Sequence, residues 1–378
     1  MPPLLHGRVN TETDAIAETA PLTSGPAYLN SLNYFRGLAI LFIIAGHCFQ
    51  LSGWHVDAFY EKMIVNLIKG GTAFFVFISG FLFHHIFAPH FRYRRFMKKK
   101  LSNVLQPYVV VSALPLMYYV LIRQGGPHAD LIYSGGQGLW AQYLQPVLKY
   151  LWTGRLFDAY WYVPFIMVVF ALSPVVLAYL RLPLRARLSL LGGTLVIALL
   201  IHRPLHNISV AQSVIYFLPV YLLGINISLD QSRVLKHLTG KEWLLALGML
   251  GLAAFQVAYY ANYTNLHKPA FEWAGLDILL IQKMLGCLFF FVMLNRFENR
   301  HWPWLKTLAT SSFALYFLHP PVILLIKKSG VLDLPLLHQI PGIVAWGLWC
   351  GVVTAVSFGL ALAIRKCFQK YSRRVIGW

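Results

Sequence analysis

The sequence predicts an all-α integral membrane protein of about ten transmembrane helices, with both termini cytoplasmic. Of its 378 residues, 58% are apolar and only 12% charged, about half the charged share of an ordinary soluble domain. The mean hydropathy is +0.59. Apolar segments of spanning length recur along the chain, and cations cluster in alternate connections between them.

The segments lie near residues 33–52, 67–88, 105–122, 159–180, 187–201, 211–229, 243–260, 275–294, 307–326 and 341–364. The fifth is short and contains Gly192 and Gly193, so nine spans, or a re-entrant fifth segment, is the alternative count. Residues 1–30 hold Pro2, Pro3, Pro21 and Pro26 among polar neighbours and read as a disordered cytoplasmic tail without a cleavable signal, which leaves targeting to the first span. Residues 31–366 form the membrane domain and 367–378 a basic cytoplasmic tail. The basic clusters at 92–100, 181–187, 233–241, 296–306 and 365–374 all fall on one side of a ten-span topology. The other side carries only scattered cations, Lys62, Lys69, Arg123, Lys149, Arg155, Arg203, Lys268, Lys327 and Lys328. That bias places the clusters in the cytoplasm and explains the net charge of +19 without nucleic acid. The longest connection on the opposite side, 123–158, mixes glycines with Tyr133, Trp140 and Tyr143, as an interfacial loop or a cover over a sugar site would.

Cys48, Cys287 and Cys350 lie in spans and Cys367 just beyond the last, so no disulfide framework is expected. Cys48 points about 100° away from His47, a poor arrangement for a Cys-His nucleophile. His202 and His206 have i,i+4 spacing, but Pro204 lies between them; no metal site is expected. No Gly-Lys-Ser/Thr phosphate loop is present.

The chemistry concentrates in two stripes. Arg36 and His47 stand eleven residues apart in the first span, which puts them on one helical face about 16 Å apart along the axis. Charged and titratable groups at membrane depth are costly and line cavities or pathways. In the ninth span Ser312, Tyr316 and His319 follow i, i+4, i+7 and share another face. Counted from the cytoplasmic helix ends, His47 is about 21 Å deep and His319 about 18 Å. The two imidazoles meet at one level if their helices are neighbours. Lys283 lies mid-span in the eighth segment with Asp277 nearer its outer end, and its role is open.

The motif opening with Arg36-Gly-Leu-Ala-Ile-Leu and closing at His47 resembles the first-span motif of membrane acyltransferase family 3. Phe74-Phe-Val-Phe-Ile-Ser79-Gly80, Trp161-Tyr-Val-Pro, Gly224 after Tyr216-Phe-Leu-Pro, and Ser312 to His319 are similar to further motifs of that family in the same order. The likeness runs from about residue 30 to 326. Two positions depart from it: Asn103 stands where the family often has the second arginine of an Arg-x-x-Arg, and Phe313 where it has a tyrosine.

The resemblance implies a stand-alone integral membrane O-acyltransferase. It would move an acyl group, commonly acetyl, from cytoplasmic acyl-CoA to a hydroxyl of a carbohydrate-containing acceptor of the cell envelope. The setting would be the inner membrane, beside envelope-biosynthesis proteins. Acyl-CoA, with acetyl-CoA foremost, is a co-substrate, and no cofactor is permanently bound. A sugar hydroxyl needs a base, and a thioester carbonyl gains charge that a donor must stabilise. His47 is the expected base or acyl relay and Arg36 the expected holder of donor oxygens. Arg94, Arg95, Lys98, Lys99 and Lys100 would attract the polyanionic donor, although positive-inside loops look the same. Ser79, Trp161, Tyr162, Ser312, Tyr316 and His319 are the expected substrate-binding or orienting residues, with Trp161 and Tyr162 suited to stacking on a sugar ring. The alternative reading is a transporter or flippase of a lipid-linked sugar, with Arg36 and His47 as a coupling site.

Overall fold

A computed structural model describes residues 29–378; of the predicted tail over residues 1–30, residues 1–28 lie outside the described residues, and Asn30 already belongs to the first helix. In chain order the helices are α1 (Asn30–Cys48), α2 (Phe59–Ile68), α3 (Thr72–Leu82), α4 (Tyr93–Lys100), α5 (Gln106–Leu116), α6 (Ala129–Ile132), α7 (Gln145–Thr153), α8 (Tyr162–Ala171) and α9 (Ser173–Leu180). They continue with α10 (Leu184–Ile201), α11 (Val210–Leu229), α12 (Gln231–Leu238), α13 (Glu242–Tyr259), α14 (Ile278–Asn295), α15 (Pro303–Lys328), α16 (Pro335–His338), α17 (Gly342–Phe368) and α18 (Ser372–Ile376). Two strands, β1 (Arg203–Pro204) and β2 (His267–Lys268), pair in parallel. The protein is an all-α multi-pass membrane protein. Among the described residues nine helical stretches are long and apolar enough to cross a bilayer, and α8 with α9 makes a tenth if that bent pair counts as one span.

The irregular span is the fourth, not the fifth. The chain turns by 55° between α8 and α9, at Leu172 just ahead of Pro174, where proline removes an amide donor from the helical ladder. Gly192 and Gly193 instead sit inside the unbroken α10, where an added Cβ would meet nothing within 4 Å. The second span is also interrupted: α2 ends at Ile68, and Gly70, with φ at +83°, turns the chain into α3. Lys283 of α14 stabilises this break. Its Nζ donates to the carbonyls of Asn66 and Leu67 at 3.1 and 2.8 Å, so a buried cation satisfies acceptors at the end of a helix.

Close helix packing sets the frame. Helices α1 with α15, α3 with α11, α13 with α14, α10 with α11 and α15 with α17 are the principal pairings. At the α3–α11 crossing a Cβ on Gly80 would lie 2.1 Å from the Tyr221 carbonyl oxygen, and one on Gly224 would lie 2.1 Å from that of Phe77. Only hydrogen fits at either position, as expected where membrane helices associate through small residues. α1 is fixed at its first turn by a carboxylate: Glu298 accepts the amides of Asn30 and Ser31 at 2.6 and 2.9 Å, a favourable placement for negative charge at a helix N-terminus. Tyr34 adds a hydroxyl bond to the Arg300 carbonyl at 2.6 Å. Residues 367–378 turn back on the bundle, where α18 packs on α5 and α15 and Arg365 stands 4.6 Å over the Trp378 ring.

Candidate active site

The packing of α1 on α15 brings the two sequence stripes together. His47, in the last turn of α1, and His319 have ring centroids 5.3 Å apart. His319 is fully buried, and its Nδ1 lies 2.9 Å from the Leu315 carbonyl. A carbonyl only accepts, so Nδ1 carries the proton and Nε2 is the basic nitrogen. Nε2 meets no hydrogen-bond partner among the described residues. His47 is half-buried because its ring borders open space.

Two prolines follow His319 without breaking α15. Pro321 has no amide to give the Phe317 carbonyl, and the Tyr160 hydroxyl takes that acceptor at 2.7 Å. Tyr316 bonds through its hydroxyl to the Ala159 carbonyl. The connection just before α8 is thereby tied to α15 at the level of His319.

The ring of Tyr316 lies 6.1 Å from that of His319 and 5.8 Å from that of Tyr162, whose hydroxyl is hydrogen-bonded to Ser79. Ser312 spends its hydroxyl on the Ala309 carbonyl at 2.8 Å and, with Tyr162 and Tyr316, borders a small void beside Ile43 of α1. Trp161 is buried: its ring stacks on Phe217 at 5.8 Å and lies 4.8 Å from the Arg203 guanidinium. Arg36 sits near the opposite end of α1, half-buried and within two turns of the Glu298 cap.

The cationic cluster divides. Arg95 and Lys99 join Arg92 and His90 around a surface pocket of about 160 Å³, floored by Phe87, Phe91 and Phe96. Lys100 turns inward instead, with its ammonium 4.1 Å from the centre of the Phe170 ring and 5.2 Å from that of Phe96. Arg94 and Lys98 are exposed and do not border that pocket.

His47 opens on a cavity of about 520 Å³, within the usual range for a ligand site. Its other polar walls come from segments far apart in sequence: Lys69 at the α2–α3 break, Arg155 and Asp158 before α8, Arg203 to Asn207 after α10, and Thr264 to His267 after α13. None of these was singled out as a site residue from the sequence. The β1–β2 pairing, with Arg203 opposite His267 and Pro204 opposite Lys268, joins two of the walls. His267 adds a bond from Nδ1 to the Pro204 carbonyl at 3.0 Å, while burial, assisted by the Arg203 charge, pulls its pKa down to about 3. Arg155 contacts His128 and, at 3.4 Å, Asp158; burial lowers its own pKa. A second cavity of about 130 Å³ shares His47, Gln50 and Asp158 and is otherwise largely apolar, with Leu156, Phe157, Ile323 and Leu324 among its walls. Among the described residues no three His, Cys, Asp or Glu side chains gather to hold a metal ion.

A polar cavity bordered by His47, with the buried His319 ring packed behind that imidazole, suits a transferase working inside the bilayer. Comparison with known families agrees: the model of the acyltransferase domain of membrane acyltransferase family 3 matches residues 29–364. The chain belongs to this family and is a membrane acyltransferase. No match was found among curated proteins or solved structures.

Proposed function

We propose that the protein transfers an acyl group, acetyl foremost, from cytoplasmic acyl-CoA to a hydroxyl of a cell-envelope glycan or glycolipid at the inner membrane. One observation carries the reading: His47 borders a polar cavity, lies beside the buried His319 and stands on the same helix as Arg36. His47 takes the proton of the acceptor hydroxyl. The hydroxyl oxygen attacks the thioester carbonyl, an O–C bond replaces the C–S bond, and the sulfur leaves as CoA thiol after gaining a proton. The His319 Nε2 lone pair receives a hydrogen bond from the imidazolium so formed and steadies it.

The two substrates meet from opposite ends in this scheme. Arg92, Arg95 and Lys99 attract the donor's phosphates at the Arg36 end, and Arg36 holds donor oxygens with its planar fork. Tyr162, Ser312 and Tyr316 border a small void beside Ile43, which stands between Arg36 and His47 along α1, and would flank the acyl-bearing arm. Family membership favours transfer over transport.

The test is chemical analysis of envelope glycans from cells with and without the gene. Ester groups missing from an otherwise intact glycan support the proposal; loss of the glycan itself would point to transport. Purified protein with labelled acetyl-CoA should esterify the acceptor fraction, and an inserted, abundant His47→Ala variant that still does so would remove His47 as the base.

A further inference from the structure

The 520 Å³ cavity beside His47 carries a charge that its own residues do not neutralise. Lys69, Arg155 and Arg203 line it against one carboxylate, Asp158, which is largely exposed and 3.4 Å from Arg155. Arg155 and Arg203 are 5% and 7% exposed, and the Nε of each meets no acceptor among the described residues. Arg203 gives one Nη2 bond to Asn207 at 2.9 Å, and Lys69 gives one to the Gly46 carbonyl at 2.8 Å. Asp277, a carboxylate that acts on Arg203 from a distance, does not border the cavity and is engaged by the Tyr216 hydroxyl at 2.8 Å and the Leu280 amide at 3.1 Å. Buried guanidinium groups are costly unless paired and hydrogen-bonded. In the topology the sequence predicts, these cations also lie on the face where the positive-inside rule disfavours them, so that rule does not account for them.

We infer that this cavity binds an oxyanion carried by the acceptor, held by Lys69, Arg155 and Arg203 while a hydroxyl of the same molecule faces His47. The inference rests on the acyl-transfer reading of His47 and deepens it: the acceptor is an acidic sugar. Its oxyanion supplies the acceptors that the two arginines lack, and planar guanidinium groups suit carboxylate and phosphate alike. A uronosyl carboxylate and a phosphate joining sugar to lipid are the two sources of that chemistry. Asn207, Thr264 and Asn265, on the same walls, offer uncharged partners for sugar hydroxyls.

Methyl glucuronide, glucose 1-phosphate and neutral methyl glucoside test this. Each is titrated against the purified protein in nanodiscs and against its His47→Ala variant, and transfer from labelled acetyl-CoA is followed in parallel. At least one charged probe should bind both proteins about tenfold or more tightly than methyl glucoside. That preference should weaken with salt, and Arg203→Gln should bring the ratio toward one. The preferred probe identifies the source of the oxyanion. Equal binding of all three probes, or binding of none, overturns the inference. Charge-selective binding without acetylation of any probe would keep the anion site and sink the proposed reaction; acetylation indifferent to charge would do the reverse.

Discussion

The imidazole of His47 faces that of His319 across a 5.3 Å centroid separation, although 272 positions part them in sequence. His47→Ala should lower acyl transfer by about 10²–10⁴-fold, the usual worth of a positioned base. His319→Ala should lower it about 10²-fold, and the double variant should be little worse than His47→Ala alone, because residues acting as a unit are not additive. Initial rates at matched membrane abundance check this, and fully additive losses would show that the two rings act apart.

Arg36 is predicted to act on the donor. Arg36→Lys keeps the charge but not the planar fork, and should raise the KM for acetyl-CoA about tenfold while leaving the KM for the acceptor near its wild-type value. Two-substrate kinetics separate these effects, and a change confined to the acceptor would reverse the assignment of ends.

Gly80 and Gly224 hold α3 against α11 with no room for a methyl group. Either Gly80→Ala or Gly224→Ala should destabilise the folded protein by about 3 kcal/mol, the upper part of the range for overpacking, because backbone rather than a flexible side chain stands in the way. Thermal unfolding in detergent measures it. Gly192→Ala, which meets open space in α10, is the control and should be neutral or slightly stabilising.

Lys283 has a structural assignment. Replacing it with Met leaves the carbonyls of Asn66 and Leu67 without its ammonium and should cost about 2 kcal/mol for unsatisfied buried acceptors. The Gly70 turn and Lys69 at the cavity wall would move with that break, so the variant should lose stability and acceptor affinity together. An unchanged melting temperature would remove the role.

Acid should loosen the cavity wall at His267. In the unfolded chain this ring takes a proton below about pH 6.5, whereas in the folded protein burial and Arg203 delay protonation to about pH 3. Stability should therefore fall as pH drops through that window, by up to about 1.4 kcal/mol per pH unit for one such ring, and be level above it. Melting temperatures of wild type and His267→Asn between pH 7.5 and about 5 test this; the variant should start lower and fall less.

The bundle was legible because spans declare themselves by apolar length, and Arg36, His47, Ser312, Tyr316 and His319 because helical periodicity puts each set on one face. Gly192 and Gly193 misdirected attention to the fifth span; the break fell at Pro174, since paired glycines in a lipid-facing helix keep their hydrogen bonds and a proline cannot. Lys100, counted among donor contacts, points into an aromatic nest instead, a direction that composition does not carry. The cavity walls were hidden for a different reason. Lys69, Arg155, Arg203 and His267 come from four separate connections, and no local spacing links them. A signal was nonetheless present: Lys69, Arg155 and Arg203 sit on the sparsely charged side of the predicted topology, where each needs a reason to be.

The pairing of Arg203–Pro204 with His267–Lys268 has a consequence for engineering. Two connections joined by backbone hydrogen bonds and by the His267 to Pro204 contact behave as one module, although α11, α12 and α13 lie between them in the chain. Transplanting either connection alone from a relative with another acceptor would leave its partner strand unmatched. Chimeras that exchange both together are the ones in which specificity should travel intact.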